Sequence, residues 1–596
     1  MKLTKEQETK FAKLGINSYL ELALLIPNTY EDLRLHEKIQ EHKYQLIDAT
    51  IESVFRATNT IQITFFVHNF GHILTGVLFR PKPYMLHQFS VGSRNYYYGM
   101  IECKQGQCSI SMPKKVSNVG DIIPKYKCSL RSDVMWRLVQ KELSLKKLLE
   151  EKIPANIAKA LLALHFVTPD ILEQNSLNSE SLEALKFAEL YLYMKLLKSK
   201  RRYFDALITK DAVYKKWCKT LPFTLTLEQI QAIEDIKYDF SKKVASKRMI
   251  VGDVGSGKTM VILASAFMML PNRSILMAPT TILANQLFEE AFKFLPNVKI
   301  ALITNKSKKE DLSQYDFIIG THALLYRDLP SCALVMVDEQ HRFGTKQRNL
   351  LEKLTSNGSK KPHFLQFSAT PIPRTQAMIE SAHIDVSLIT TTPFVKDITS
   401  KVIHKHDFKD LLKHIKEQIN KDNQVLIVYP LVEQSENLQY QSINEAREYW
   451  EKNFNDVFVT HGKDKEKEKV LLNFREKGKL LISTTVVEVG ISLPKLSTVV
   501  IVGAERLGLS TLHQLRGRVS RTGLKGYCYL YTNQEKSSRL NSFIKTTNGF
   551  EIANLDLKFR KSGDLLKGEN QSGNQFRWFD FATDEKIVKM VKKLLV

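Results

Sequence analysis

One short stretch of this chain constrains its fold more than any other. It reads Gly252-Asp253-Val254-Gly255-Ser256-Gly257-Lys258-Thr259. An apolar strand signal precedes it and an apolar run follows it, which is the strand–loop–helix context that a phosphate-binding loop requires. Such glycines let backbone N–H groups surround phosphate oxygens at the start of the helix. Lys258 can then reach the β- and γ-phosphates, and the Thr259 hydroxyl can bind Mg²⁺. A chance glycine turn is the alternative, and the flanking strand and helix disfavour it. The motif therefore predicts a nucleoside triphosphate site.

The charge of the chain points to an anionic partner. Lys and Arg number 87 against 63 Asp and Glu, so the 596 residues carry a formal net charge of +24. This excess suits nucleic acid better than a membrane surface, because no isolated amphipathic basic helix stands out. A general richness in surface lysine is the alternative, and charge alone leaves it open.

Neither the targeting signals nor the cysteine spacing indicates export, a membrane span or a zinc site. No signal peptide opens the sequence and no apolar run reaches about 18 residues, so we expect a cytoplasmic protein with no membrane span. The six cysteines form no CxxC pair and no zinc cluster. We expect all of them to be reduced.

Strand and helix signals divide the chain into segments. The first reads as short helices, the second as short strands that predict a small barrel such as an OB-fold, and the third as a helical connector. The next two alternate strands with helices, which predicts parallel sheets covered on both faces, and the last is helical. The predicted boundaries are 1–45, 46–118, 119–218, 219–392, 393–545 and 546–596. The predicted fold class is α/β, with two parallel-sheet lobes, an N-terminal barrel and C-terminal helices.

The barrel segment interleaves aromatic and basic residues. Phe79, Arg80, Lys82 and Tyr84 follow one another closely, as base stacking beside phosphates would require. The alternative is that these aromatic side chains belong to the barrel core, and this stretch alone does not decide between the two.

A second candidate site follows an apolar strand signal at residues 333–337. That strand ends in Asp338-Glu339-Gln340-His341, and parallel sheets place their sites at the carboxyl ends of strands. Asp338 would hold Mg²⁺, and Glu339 would orient or deprotonate the attacking water. Gln340 and His341 complete the predicted catalytic group.

Further polar residues are candidates for contacts around the nucleotide. Phe223 and Gln229 lie upstream of the phosphate loop, and a glutamine amide can pair with an adenine edge. Hydroxyl residues at or after strand ends could touch a nucleic-acid backbone or couple two sites: Thr280, Thr321, Ser368 and Thr370.

The second α/β block supplies arginines. Residues 514–521 contain three of them, and the planar, permanently charged fork of arginine suits a γ-phosphate. Arg518 and Arg521 would stabilise transition-state charge from across a cleft, although surface salt bridges are the alternative. Gln514, and Thr485 after another strand signal, are assigned to nucleic-acid contact or coupling.

The order of these stretches resembles a superfamily 2 helicase with a DEQH box, and more narrowly the RecG branched-DNA helicases. The segments that carry the resemblance are 252–259, 338–344, 368–375 and 514–521. Outside the motor, residues 26–32 resemble the segment before the family's wedge domain. Residues 547–573 resemble the translocation motif shared with the transcription–repair coupling translocase. Departures are Ser492 in place of the usual Asp, Ser520 in place of Gly, and Arg-Lys-Ser-Gly at 560–563 in place of Arg-Gly-Pro-Gly.

The resemblance implies an enzyme that uses ATP and Mg²⁺. RecA-like lobes would sandwich the nucleotide, and closure of the cleft would drive steps along duplex DNA. It assigns coupling to Arg539, Arg560 and Gln571, and strand separation to the barrel, with Phe79 and Tyr84 as stacking residues. It implies branched double-stranded DNA as partner, a role in recombination and repair in the bacterial cytoplasm, and a monomer. A single-strand DNA-binding protein is a candidate second partner.

Two other classes of protein compete with this interpretation. An RNA-unwinding DExx helicase would share the motor but has no reason to carry the 547–573 pattern. A non-enzymatic fork-binding scaffold would not need the intact set Lys258, Asp338, Glu339, Arg518 and Arg521.

Overall fold

The computed structural model describes residues 5–57, 59–82, 87–104, 107–173, 177–394, 396–430, 440–485, 492–520, 523–567 and 576–595. The chain divides into two compact units. The first comprises residues 1–193 and 576–579, and the second comprises residues 194–575 and 580–595. Among the helices of these described ranges, none combines the length and the apolar character needed to cross a bilayer.

The first unit is built on a closed five-stranded barrel. After two helices, α1 (Lys5–Leu14) and α2 (Tyr19–Leu24), and a short strand, β1 (Thr29–Asp32), come the barrel strands β2 (Lys43–Arg56), β3 (Thr60–Val67), β4 (His72–Phe79), β5 (Arg94–Lys104) and β6 (Gln107–Val116). They close in the order β2-β3-β4-β6-β5, with only the β4–β6 pair parallel. Alternate residues of β3 point inward, and Ile63, Phe65 and Val67 are fully buried. The predicted OB-like barrel is confirmed.

Helices follow the barrel in the chain. A strand, β7 (Ile122–Lys125), pairs antiparallel with β1, and it is followed by α3 (Ser132–Glu142), α4 (Leu145–Glu150), α5 (Ala155–Ala163), α6 (Pro169–Glu173) and α7 (Ser179–Ser199). The Glu189 carboxylate in α7 accepts backbone N–H groups of Trp578 at 3.0 Å and Phe579 at 2.9 Å. These bonds attach the late segment 576–579 to the first unit.

The expectation that all six cysteines are reduced is wrong for two of them. Cys103 and Cys108 form a disulfide. The β5–β6 register places them directly opposite each other, with 4.0 Å between their Cα atoms. The other four cysteines, Cys128, Cys218, Cys332 and Cys528, are free.

The second unit contains two parallel sheets, and the first of them with its helices is called lobe 1. Its strands are β8 (Lys247–Gly252), β9 (Ser274–Met277), β10 (Ile300–Ile303), β11 (Phe317–Gly320), β12 (Leu334–Val337), β13 (His363–Ser368) and β14 (Asp385–Ile389), in the order β10-β11-β9-β12-β13-β8-β14. Its helices are α8 (Lys215–Cys218), α9 (Leu227–Phe240), α10 (Lys258–Met269), α11 (Thr281–Phe294), α12 (Thr345–Thr355) and α13 (Arg374–Glu380). Leu276 and Ile275, adjacent in β9, face different apolar clusters, so both faces of the sheet are buried.

Lobe 2 is the six-stranded sheet with its helices. Its strands are β15 (Ile398–Ile403), β16 (Gln424–Val428), β17 (Val457–Thr460), β18 (Leu480–Ser483), β19 (Leu496–Val502) and β20 (Gly526–Tyr531), in the order β15-β20-β19-β16-β18-β17. The helices that follow along the chain are α14 (Phe408–Asn420), α15 (Ile443–Asn453), α16 (Lys467–Lys477), α17 (Leu509–Arg516), α18 (Ser538–Ile544), α19 (Gly549–Lys567) and α20 (Glu585–Leu595). The α/β fold class with two parallel-sheet lobes is confirmed.

Candidate nucleotide-binding site

The phosphate-binding loop lies between β8 and α10. Gly255 and Gly257 both have left-handed backbones, with φ of +78° and +76°. A Cβ on Gly257 would lie 2.2 Å from Nε2 of Gln229, so this position requires glycine for space as well as for conformation. Gly257 is the N-cap of α10 and offers no side-chain cap, which leaves the first N–H groups of that helix able to bind an anion.

Lys258 spans the loop. Its Nζ donates to the carbonyls of Gly252 and Asp253, at 2.9 Å each. The neighbouring Thr259 is half-buried. The Ser256 hydroxyl is buried and has no hydrogen-bond partner among the described residues. A buried orphan hydroxyl and a lysine bonded to loop carbonyls are consistent with a site that phosphate oxygens complete.

Two carboxylates stand at the end of β12. Asp338 is buried, and its Oδ1 accepts the Glu339 N–H at 2.9 Å. Burial raises the pKa of Asp338 to about 7, the charge of Glu339 adds to the rise, and Lys258 opposes it. Glu339 has a left-handed backbone (φ +49°), and its Oε2 accepts the Ala369 N–H at 3.1 Å. The carboxylate of Glu339 therefore contacts the segment that follows β13.

The remaining members of the predicted catalytic group lie beside these carboxylates. Nδ1 of His341 lies 3.6 Å from Oε2 of Glu339. The amide of Gln340 contacts Sδ of Met249 at 3.4 Å and accepts a hydrogen bond from Arg348. The Gln340 amide thus contacts β8 and α12.

A cleft of about 700 Å³ joins these groups. It is lined by the phosphate loop, Asp338, Glu339 and Phe223 from lobe 1 and by Ser492, Gln514 and Arg518 from lobe 2. Its volume falls within the ~300–1,000 Å³ usual for small-molecule sites. The lining residues fit ATP. One of them, Gln514, has a buried Oε1 atom that lacks a partner among the described residues and is therefore able to accept a hydrogen bond from a ligand.

The donor set also fits Mg²⁺. No cluster of three or more His, Cys, Asp or Glu side chains suited to a metal occurs in the described part of the chain. Mg²⁺ at nucleotide sites takes only one or two protein ligands and keeps water and phosphate oxygens as the others. Thr259 and Asp338 both line the cleft and are the residues that would hold it.

Gln229 has a structural role that its predicted adenine contact did not include. Its Oε1 accepts the Thr226 N–H and its Nε2 donates to the Ser256 carbonyl, each at 2.8 Å. The Thr226 side chain in turn accepts the Gln229 N–H, which makes a capping box at the start of α9. Each amide atom keeps one further hydrogen-bonding position, so the adenine contact stays a prediction. Phe223 is 45% exposed at the cleft.

The lobe 2 contribution comes from the end of α17. Arg518 is 8% exposed and lines the cleft, whereas Arg521 lies outside the described residues. Ser520 adopts a left-handed backbone with φ of +62°, a conformation that a non-glycine residue takes at a cost of about 1–2 kcal/mol. This conformation explains why glycine suits that position better.

Four of the five hydroxyl residues predicted to contact nucleic acid form local hydrogen bonds. The Thr280 side chain accepts the Leu283 N–H and caps α11, and the Thr321 side chain accepts the Ala323 N–H. The hydroxyls of Ser368 and Thr370 lie 2.8 Å apart. Thr485 is half-buried just after β18. Their contacts with nucleic acid stay predictions.

The predicted coupling and stacking residues are only partly described. Phe79 is 54% exposed on the barrel, and Arg539 donates to the Glu505 carbonyl. The side chain of Arg560, which lies within α19, is outside the described residues, and so are Tyr84 and Gln571.

One cleft residue has no counterpart in the sequence motifs. Nζ of Lys396 donates to the Val254 carbonyl at 2.7 Å and lies beside Gly255. Lys396 belongs to the connection between the two sheets, and a lone lysine there carries no motif that could have identified it.

Comparison with known proteins gives a consistent result. Residues 226–379 match the DEAD/DEAH box helicase family, and residues 406–523 match the helicase conserved C-terminal domain. The ATP-dependent DNA helicase RecG of Helicobacter pylori is 43% identical over 607 residues, which covers 99% of this chain and 97% of that protein. The RecG of Aquifex aeolicus is 32% identical and covers 96% and 80%.

A solved structure of RecG bound to a three-way DNA junction aligns at a TM-score of 0.56 and 25% identity, over 100% of this chain and 84% of that one. Identity of this extent includes the barrel as well as both lobes. The chain belongs to the RecG family of ATP-dependent DNA helicases.

Proposed function

We propose that this protein is an ATP-driven motor that translocates on double-stranded DNA and unwinds and remodels branched DNA such as stalled forks, Holliday junctions, D-loops and R-loops. The observation that carries the proposal is the 43% identity over 99% of the chain, because an alignment of that extent includes the barrel as well as both lobes. The net charge of +24 supports a polyanionic partner.

The geometry of the nucleotide site supports the following proposed roles for its residues. Lys258 binds the β- and γ-phosphates after exchanging its loop carbonyl partners for phosphate oxygens. Thr259 and Asp338 would hold Mg²⁺, which would supply positive charge to offset that of the phosphates. Glu339, held by the Ala369 N–H, orients the attacking water. Arg518, with Arg521, stabilises transition-state charge from lobe 2.

Mechanical output is assigned to other parts of the chain. Arg539, Arg560 and Gln571 convert closure of the cleft into steps along the duplex, and the barrel separates the strands. The exposed ring of Phe79 supports a stacking role there, and Tyr84 is its proposed neighbour. The six segment boundaries predicted from the sequence are retained as the proposed domain boundaries.

The cellular setting is proposed on the same basis. A branched-DNA motor of a bacterial family acts on the chromosome, so we infer a cytoplasmic enzyme of recombination and repair. We further infer that it works as a monomer and that a single-strand DNA-binding protein is a candidate partner.

ATP hydrolysis on defined nucleic acids tests the proposal. Model forks that differ only in which arm is single-stranded should stimulate hydrolysis strongly, and a duplex RNA of the same length should not. Asp338→Asn should abolish the stimulation, while the exposed carboxylate of the same lobe, in Asp328→Asn, serves as matched control. Equal stimulation by RNA would favour an RNA-unwinding helicase, and no stimulation by any nucleic acid would favour a non-enzymatic scaffold.

A further inference from the structure

The carboxylate of Asp253, the second residue of the phosphate loop, bonds to lobe 2. Its Oδ1 lies 2.5 Å from Nε2 of His513 in α17, and its Oδ2 accepts the Gly549 N–H at 2.9 Å. Asp253 and His513 are 6% and 4% exposed. The glycines of the loop are suited to phosphate binding, whereas the Asp253 carboxylate is already hydrogen-bonded to α17 and to the start of α19.

Two glycines of lobe 2 are needed for space at this contact. A Cβ on Gly517 would lie 2.7 Å from Cγ1 of Val254, and a Cβ on Gly549 would lie 2.6 Å from Oδ1 of Asp253. Gly517 has φ of −65°, a conformation open to any residue. Glycine therefore stands there because the phosphate loop approaches too closely for a side chain.

The protonation state of His513 follows from its neighbours. Arg516 can only donate, and its guanidinium lies 3.2 Å from Nδ1 of His513, so Nδ1 accepts and Nε2 carries the hydrogen that Asp253 receives. Burial lowers the pKa of His513, in agreement with a neutral ring. Burial alone would raise the pKa of Asp253, but the hydrogen bond from His513, the Gly549 N–H and the charge of Lys396 lower that pKa to about 2.

The relay continues into lobe 2. The Arg516 guanidinium stacks on the Phe543 ring at 4.1 Å and donates to the Phe543 carbonyl at 3.3 Å. The chain of contacts thus runs from Asp253 through His513 and Arg516 to α18.

The helix α19 is in contact with both lobes. Phe550, in its first turn, packs with Met249 and Val251 of β8. Ile552, two residues later, belongs to the apolar core of lobe 2. A shift of the phosphate loop would therefore act on the beginning of this helix directly.

We propose that Asp253 and Val254 form the surface on which lobe 2 docks, and that this contact transmits the state of the nucleotide site to α17 and α19. Asp253 and His513 are then positioning residues, and their role differs from phosphate binding. The inference rests on the proposed function, because it concerns how hydrolysis is coupled to movement on DNA.

His513 variants test the transmission. His513→Ala should keep hydrolysis without DNA within about twofold of the wild type but lower the number of base pairs unwound per ATP by at least about fivefold, a typical size for coupling between sites. His513→Gln should restore that ratio, because glutamine can donate to Asp253 and accept from Arg516. A parallel fall of hydrolysis and unwinding at constant ratio would overturn the proposal.

The close approach is tested by Gly517→Ala and Gly549→Ala. The control is Gly508→Ala at the start of α17, where φ is −62° and a Cβ meets no described atom within 4 Å. Both test variants should lower the unwinding-to-hydrolysis ratio, and the control should not. Equal ratios in all three would overturn the proposal.

Hydrogen exchange separates this inference from the proposed function. In the wild type without DNA, a non-hydrolysable ATP analogue with Mg²⁺ should change the exchange of amides 549–559, and His513→Ala should remove that change. An identical response in both proteins, or none in the wild type, overturns the docking role. Failure of the wild type to unwind forks would instead refute the proposed function and leave the exchange result to decide this one.

Discussion

Replacing Gln229 by alanine is expected to destabilise lobe 1 and weaken nucleotide binding together. Gln229 is 3% exposed, and its amide joins the Thr226 N–H to the Ser256 carbonyl. The bond to the Ser256 carbonyl is buried, so truncation leaves that acceptor unpaired at about 1–3 kcal/mol. Loss of the capping bond at Thr226 adds about 0.5–1 kcal/mol, because water can partly replace it. The free energy of unfolding should therefore fall by about 1.5–4 kcal/mol.

Nucleotide binding should also weaken in Gln229→Ala, because Ser256 belongs to the phosphate loop. If the lost bond weakens the binding free energy of ATP by about 1.4 kcal/mol, the KM for ATP should rise about tenfold. Gln229→Glu separates the two contributions: its carboxylate can still accept the Thr226 N–H but cannot donate to the Ser256 carbonyl. That variant should keep the helix cap and lose the loop contact.

The matched control is Gln231→Ala, in the same helix. Gln231 is exposed, and its amide bonds Asp235 at 2.9 Å, so its loss should cost no more than about 0.5 kcal/mol. Urea unfolding gives the stability change, and ATP titration with saturating forked DNA gives KM. Equal stability losses for the two alanine variants, or an unchanged KM in Gln229→Ala, would refute the reasoning.

Three further predictions concern the nucleotide, the DNA and the buried carboxylate of Glu352. Lys258→Ala should abolish ATP hydrolysis in a phosphate-release assay yet keep fork binding, because DNA affinity rests on many distributed cations; retained hydrolysis would contradict the assignment. Fork affinity should fall with salt at about −0.9 in log–log slope per neutralised phosphate, and a flat response would assign the net charge to solubility. Burial would raise the pKa of Glu352, but Lys247 at 2.6 Å and Lys361 at 2.8 Å lower it overall. Glu352→Gln should therefore cost about 1–3 kcal/mol at pH 7, and the gap from wild type should close as pH falls below about 4.3, where the unfolded carboxyl protonates. Thermal unfolding against pH, with exposed Glu448→Gln as control, measures it; a gap that stays constant down to acid pH would contradict the ion-pair account.

Several features of this protein are determined locally and could be predicted from the sequence. The phosphate loop needs only its glycines, its lysine and the flanking strand and helix, and all of these lie within a short stretch. The carboxylates of Asp338 and Glu339 could be predicted for the same reason, because they directly follow the apolar strand that positions them. Successive short strand signals within residues 46–118 were likewise enough to predict a small barrel.

Other features exist only where distant segments meet. The Cys103–Cys108 disulfide depends on the register of a hairpin, since a shift of one residue would turn one sulfur away from the other. The amide of Gln229 matches an adenine edge equally well on paper, and only the packing of α9 on the phosphate loop shows that it bonds the Ser256 carbonyl.

The contact of Asp253 with His513 is the clearest example of a feature that the sequence does not predict, because 260 residues separate the two in the chain. Residue type and spacing encode local hydrogen bonding and burial, and these suffice for strands, helices and loop motifs. Which carboxylate meets which imidazole depends on how two separately folded sheets dock, and a single chain carries no periodic signal for that. The sequence alone therefore determined that there is a nucleotide site and two lobes around it. Only the tertiary structure decided that the phosphate loop is also the surface on which the second lobe rests.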